Sequence, residues 1–369
     1  MQARLVRVLD AASDPDLLSS WGSLHERALE QNPFFEPQCV IPAARYLPAG
    51  EAIELLVAEE GGTVHGCMPL VALPRWHWSR RGTLTTNVRR LTWLGTPLLD
   101  GDQADRAMLA MLAHLRDRRR STGHHLLAIE WMHAGGPVAE SLHRAASALR
   151  LPVATGEHFE RSAILRPVGD DPGDSVEPLR RQRTTRKKLE KLIAHAGPVK
   201  VVDRADDPTV LDEIIALEAR GYKGREGIAL DNWPGEAEWF KEMVGAFARD
   251  GRAVVTTLEA ADRAIAAIVV VTGGDDVFFC LTTYDEEFSH YAPGIQVRYD
   301  TVDLLTRTRR FRRADTCTYA DNAVRQEIFP DHIAVATVLV GLGSPVERVL
   351  LASLPTARRL RARLRSRSR

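Results

Sequence analysis

The residues best suited to chemistry lie between Phe278 and Arg310, in the run FFCLTTYDEEFSHYAPGIQVRYDTVDLLTRTRR. An apolar strand passes into a polar loop, and a Pro293-Gly294 corner opens a helix. Glycine lets a ligand approach the backbone closely, and the first amides of a helix have no acceptor within it. Such a corner suits a phosphate. The plain alternative is a connection in which Pro293 fixes one backbone angle and Gly294 relieves the turn. Titratable side chains surround the corner: Asp285, His290, Tyr291 and Tyr299 beside it, and Asp315, Tyr319 and Asp321 on the next strand and its exit.

Positioning these groups requires a sheet. Three strand-like runs begin at Ala253, Ala264 and Val277, and the short turns between them predict an antiparallel meander. The helix after the corner, from Gly294 to Arg310, carries Ile295, Tyr299, Val302 and Leu305 on one face. Upstream, TVLDEIIALEAR and EAEWFKEMVGAFARD read as amphipathic helices. The first half shows the same order: a helix from Asp14 to Glu30, a hairpin of Ala52–Glu59 and Val64–Leu73, a helix capped by Asp102, and a buried strand over Leu126–Met132. The fold class is therefore α/β (α+β), with two similar halves. Only the second has the glycine corner, because its counterpart GTPLLDGDQADRAM lacks a glycine at the helix start. The first half is expected to shape substrate access rather than bind a phosphate-bearing cofactor. Expected boundaries are 1–165 for the first half, 166–199 for a Pro/Gly/Asp-rich linker and basic helix, 200–345 for the second half, and 346–369 for a basic tail.

The 369 residues suit two cores, and 44% hydrophobic content is that of a folded soluble protein. With 49 basic and 49 acidic residues, net charge gives no general reason for nucleic-acid binding. The four cysteines lack CxxC spacing and read as buried free thiols. His124 and His125 have no matching carboxylate spacing, so no metal is expected. The N-terminus has no signal-peptide core and no apolar run is long enough for a bilayer, so the expected location is the cytoplasm.

The run LEARGYKGREGIAL, Leu217 to Leu230, resembles the "LE…WKG..G.AL" signature of the CelD-like GNAT-fold N-acetyltransferases, a branch associated with cellulose and exopolysaccharide biosynthesis. The basic segment before it and the YAPGIQ corner after it fall in the family's order, and Trp21–Pro37 and Leu91–Asp102 are similar to its N-terminal region. Tyr222 stands where the family often has Trp, and the corner has one glycine where the wider GNAT pattern has two. The resemblance implies two GNAT-like halves, each a mixed, largely antiparallel sheet flanked by helices, distantly similar to the Fem peptidyltransferases. It also implies direct transfer of an acyl group, acetyl in the simplest case, from acetyl-CoA or another acyl-CoA to an amine or hydroxyl of a cell-envelope or exopolysaccharide precursor.

On that resemblance Thr282, Thr283 and Tyr284 would line the pantetheine arm. Pro293, Gly294, Ile295 and Gln296 would seat the pyrophosphate, with Arg298 neutralising it. Asp315 or Asp321 would serve as base and Tyr319 as acid. Glu218, Tyr222, Lys223 and Arg225 would meet the acceptor, with a helix stop and a solvated lysine as the plain alternative. The segment Arg180 to Lys191 holds seven Lys or Arg in twelve residues. It reads as a solvated face or a landing strip for an acidic acceptor. Under a Fem-like alternative, an aminoacyl-tRNA-dependent transferase, it would meet tRNA phosphate; a non-catalytic binding protein is the third reading. The tail from Val346 carries eight Arg and is a frayed end or a peripheral contact with anionic lipid at the inner face of the membrane.

Overall fold

The computed structural model describes residues 1–48, 50–73, 82–86, 93–166, 181–260, 262–308, 311–318 and 328–353. The chain divides into two units, one of residues 1–44, 49–159 and 334–369, the other of 45–48 and 160–333. In the first, β1 (Gln2–Arg7) is followed by α1 (Val8–Ser13), α2 (Pro15–Gly22), α3 (Pro37–Tyr46), β2 (Glu54–Glu60), β3 (Thr63–Leu73) and β4 (Gly82–Thr85). A two-residue β5 (Leu98–Leu99) pairs with β3, and α4 (Ala104–Thr122) crosses over to β6 (His124–His133). Then α5 (Pro137–Ala148) leads to β7 (Val153–Leu165). Strands β1 to β4 pair antiparallel in sequence order, and β4 pairs parallel with β6.

The second unit repeats this plan. After α6 (Arg183–Ala196) come β8 (Lys200–Asp203), the helices α7 (Val210–Arg220), α8 (Tyr222–Arg225) and α9 (Glu236–Arg249), and the meander β9 (Ala253–Ala260), β10 (Arg263–Gly273) and β11 (Asp276–Tyr284). Helix α10 (Pro293–Thr308) then crosses to β12 (Arg313–Asp315), and β13 (Asp331–Gly341) comes last. Strands β8 to β11 are antiparallel in order and β11 is parallel to β12. The expected α/β class, with two similar halves, is the observed one.

The boundaries differ from the expectation in an instructive way. Each half's last strand completes the other unit: β7 pairs with β12 through Ala163–Leu165, and β13 pairs with β6 through Val335–Gly341. The basic helix α6 is part of the second unit's core, because Leu192 is fully buried there with Leu189 packed alongside. The chain after Val346 likewise begins inside a core, with Leu351 against Leu126, Ala128 and Leu339; residues 354–369 of the expected tail lie outside the described residues. Helix α2 stops at Gly22, short of Glu30, and a 3₁₀ turn covers Ser23–Arg27. His25 Nδ1 lies 2.7 Å from Gly22 O, a side-chain bond to a carbonyl that a longer helix would need.

In the second unit the meander is apolar on both faces, as helices on both sides require. Ile268, Val270, Val277 and Phe279 meet Val297, Val302 and Leu305 of α10, while Val269 and Val271 alternate to the other face. Helices α7 and α9 contact this sheet through β11 and through β9 and β10. The start of α7 is tied by Arg204, which bonds Asp207 at 3.0 Å and Glu213 at 2.7 and 2.9 Å. Hydrogen bonds from Arg204 and from Thr209 hold the Asp207 carboxyl down at about 2. Its unfolded value is 3.8, so the stability it contributes is complete above that pH and is lost as pH falls towards 2. Arg204→Gln is expected to flatten this part of the acid limb in a circular-dichroism titration between pH 4 and 2, leaving the curve above pH 5 parallel to that of the wild type.

Candidate functional site

The site begins where two strands part. The parallel ladder of β11 and β12 runs over Asp276↔Arg313, Val277↔Ala314 and Phe278↔Asp315 and ends there. Beyond Phe278, β11 keeps β10 on one side, and among the described residues no strand pairs with it on the other. The β10 register skips one residue, from Val270↔Phe279 to Val269↔Leu281, so Cys280 is a bulge at the point of divergence. Bulges bend a strand and re-aim the residues beyond them. On the β12 side, Asp315 is succeeded by a reversal at Cys317, which has φ of +53°. Burial, then the neighbouring Asp315 charge, pushes the Cys317 thiol well up, so it stays protonated and is no nucleophile.

Against the free edge of β11 stands the Leu217–Leu230 segment, and its residue pattern has a physical explanation. Glu218 is 2% exposed; its Oε1 lies 2.7 Å from Lys223 Nζ and its Oε2 accepts from Leu230 N at 2.9 Å. Lys223 Nζ also donates to Thr282 O, 3.0 Å away and on the unpaired stretch of β11. One buried carboxylate thus fixes both the lysine and the loop that returns to Leu230. Gly224 is required because a Cβ there would sit 1.8 Å from Ala219 O, and Gly227 has φ of +70°. Tyr222 N and Arg225 Nη2 both bond Glu286 Oε1, at 3.0 Å each, which ties α8 to the loop after β11. A cavity of about 320 Å³ opens here between Leu217, Gly221, Tyr284, Asp285 and Glu286.

The α10 corner is more closed than its sequence suggests. Pro293 has no N–H, and the amides of Ile295 and Gln296 both donate to Ala292 O, at 2.9 and 3.1 Å. Gly294 is buried with the Tyr284 ring 3.1 Å from where its Cβ would be. Ala292 itself is left-handed, with φ of +53°. The Gln296 side chain is fully buried and turned to α6, where its Nε2 donates to Thr185 O at 2.9 Å and its Oε1 accepts from Arg181 at 3.2 Å. Arg181 also pairs with Asp300, whose carboxyl burial pushes up against the opposing pull of Arg181. Thr283 is paired with Ala267 of β10, and Arg298 is partly buried on the second turn of α10.

Of the titratable candidates, Asp315 is fully buried, with Oδ2 3.0 Å from Arg161 Nη1 and Oδ1 accepting from Cys317 N at 2.7 Å. Both oxygens are engaged in fixing the end of β12. Tyr319 and Asp321 lie outside the described residues. Asp285 pairs with Arg263 at 2.7 Å, Tyr291 stacks on His195 with ring centroids 5.5 Å apart, and Tyr299 is buried. Arg161, Arg181 and the Leu230 amide carry no individual signal in the sequence; only the residue spacing around Glu218 hints at the last. Among the described residues no group of three His, Cys, Asp or Glu is arranged to hold a metal.

In the first unit the corresponding opening is filled by its own chain. Thr86 N donates to Ala128 O, Gly95 N to Trp131 O at 3.4 Å, and Asn32 Nδ2 holds Leu94 O and Thr96 O at 3.0 and 2.7 Å. A Cβ at Gly95 would lie 2.0 Å from Glu130 O, so the loop rests directly on β6.

Residues 180–322 match the family model described as "Acetyltransferase (GNAT) domain". Among solved structures the chain is similar to FemX, at 8% identity and a TM-score of 0.57, covering 95% of this chain and 100% of that one. A conserved protein of unknown function from Bacteroides thetaiotaomicron has 9% identity and a TM-score of 0.55, covering 88% and 97%. The C-terminal domain of a putative lysylphosphatidylglycerol synthetase from Agrobacterium fabrum has 11% identity and a TM-score of 0.53, covering 91% and 96%. These structural likenesses are of fold. A search of curated proteins found no match. The chain thus carries a GNAT acyltransferase domain in its second half.

Coenzyme A can be tested against these groups. The free edge of β11 at Thr282 and Tyr284 offers main-chain groups that fit a pantetheine arm. At the corner, with Ile295 and Gln296 engaged, the fit to a pyrophosphate narrows to the Gly294 amide. Gly224→Ala is expected to cost ~1–3 kcal/mol in a urea melt, the usual range for forced overpacking, because Ala219 O cannot move without unwinding α7. An unchanged midpoint would contradict the close approach.

Proposed function

We propose that the second unit is an acyl-CoA-dependent acyltransferase, acetyl-CoA being the first donor to test, and that it transfers by direct attack to an amine or hydroxyl. The observation that carries this is the unpaired edge of β11 beyond Phe278, opened by the Cys280 bulge and bordered by Lys223. Coenzyme A, when bound, supplies the acyl group as a thioester. Thr282 and Tyr284 hold the arm by main-chain bonds, and Gly294 with Arg298 meets the pyrophosphate.

The acceptor enters beside Leu217, Gly221 and Glu286, where the 320 Å³ cavity leads to the edge of β11. Asp321 takes the acceptor's proton and Tyr319 returns one to the leaving sulfur, while Asp315 is held by Arg161 at the end of β12. The resemblance of Leu217–Leu230 to the CelD-like enzymes supports a cell-envelope or exopolysaccharide acceptor. It favours a cytoplasmic enzyme working at the inner face of the membrane, where the Arg-rich C-terminal end meets anionic lipid. Among the described residues no helix is long and apolar enough to cross a membrane.

Calorimetric titration of acetyl-CoA into the full chain tests the donor. Saturable binding is expected, weakened at least tenfold in Gly294→Glu, whose carboxylate adds bulk against Tyr284 and charge where the pyrophosphate sits. No binding by the wild type, or equal binding by both proteins, would overturn it; tRNA binding in its place, with a steep salt dependence, would point to a different donor.

A further inference from the structure

We infer that Lys223 is a catalytic residue, the donor that stabilises negative charge on the carbonyl oxygen of the acyl group in transit, and that Glu218 is its positioning residue. The inference rests on the acyltransferase reading above and adds to it the group that bears the reaction's charge.

Three features of Lys223 carry it. Its ammonium is at the free edge of β11, 3.0 Å from Thr282 O, two residues beyond the Cys280 bulge. It is bonded on two sides, to Thr282 O and to Glu218 Oε1, and an ammonium has three N–H donors, so one remains. The side chain is 20% exposed, so the ammonium is partly accessible while its two bonds hold the lysine in place. Glu218 serves this arrangement at a cost that a surface lysine would not need: a carboxylate 2% exposed is expensive to bury unless paired. Its second oxygen is spent on Leu230 N, so it cannot swing away.

During transfer the acceptor atom bonds to the acyl carbon as the carbon–sulfur bond breaks. One proton leaves the acceptor for the base and one reaches the departing sulfur from the acid. Lys223 contributes a hydrogen bond and its charge, both stronger when the oxygen is negative than when it is a neutral carbonyl. Preorganised donors of this kind are worth about 10²–10³ in kcat.

The test reads the carbonyl itself. Acetyl-CoA labelled with ¹³C at the carbonyl is bound to the full chain, and its isotope-edited infrared band is compared between wild type, Lys223→Met and the double variant Glu218→Gln/Lys223→Met, which leaves no unpaired buried carboxylate if the single variant folds poorly. The wild type is expected to lower the band relative to free acetyl-CoA, and the variants to lose most of that shift while binding within about threefold by calorimetry. Glu218→Gln alone is expected to give an intermediate, broadened band, as Lys223 loses its anchor. Equal shifts in wild type and in a folded, binding Lys223 variant would overturn the role of Lys223 and leave the acyltransferase reading intact. Absence of any acetyl-CoA binding by the wild type would overturn both.

Discussion

The candidate site depends on one interrupted ladder. Had β11 and β12 continued in register past Phe278↔Asp315, every main-chain group from Phe279 to Tyr284 would have a strand partner and the sheet would offer nothing to bind. The extra residue at Cys280 and the reversal at Cys317 spoil that continuation from both sides. Open sheet edges are a hazard because they recruit other chains. This one is short, flanked by α7 and α8, and met by Lys223, so a narrow stretch of backbone stays free for a small molecule.

A buried carboxylate then links the opening to the rest of the unit. Through Lys223, Glu218 reaches Thr282, and through Leu230 N it closes the loop that borders the cavity. Glycines at 224 and 227 make that loop sterically possible. The first unit shows the same succession of strands and helices with the opposite outcome: Asn32 and Gly95 hold its loop on β6, and the equivalent opening is filled. The duplicated architecture is thus open at this point in the second unit and closed in the first.

Much of this was legible in the sequence. The meander β9–β11 and the helix at the Pro293-Gly294 corner rest on local periodicity and turn residues, which carry their own signal, whereas Leu217–Leu230 stood out only by its resemblance to a family signature. The exchange of β7 and β13 between units was not legible, since pairing across more than a hundred residues leaves no local mark. For the same reason Asp315 read as a free base: its partner Arg161 is 154 residues away. The corner read as three open amides because sequence does not reveal that Ala292 turns left-handed and takes two of them.

Hydrogen–deuterium exchange of the full chain with and without acetyl-CoA tests the free edge most directly. The account predicts protection confined to peptides covering Phe279–Asp285 and the Lys223 loop, with no change over Gly82–Thr86 and Trp93–Pro97 of the first unit. Protection of the first-unit segments with none at Phe279–Asp285 would contradict it.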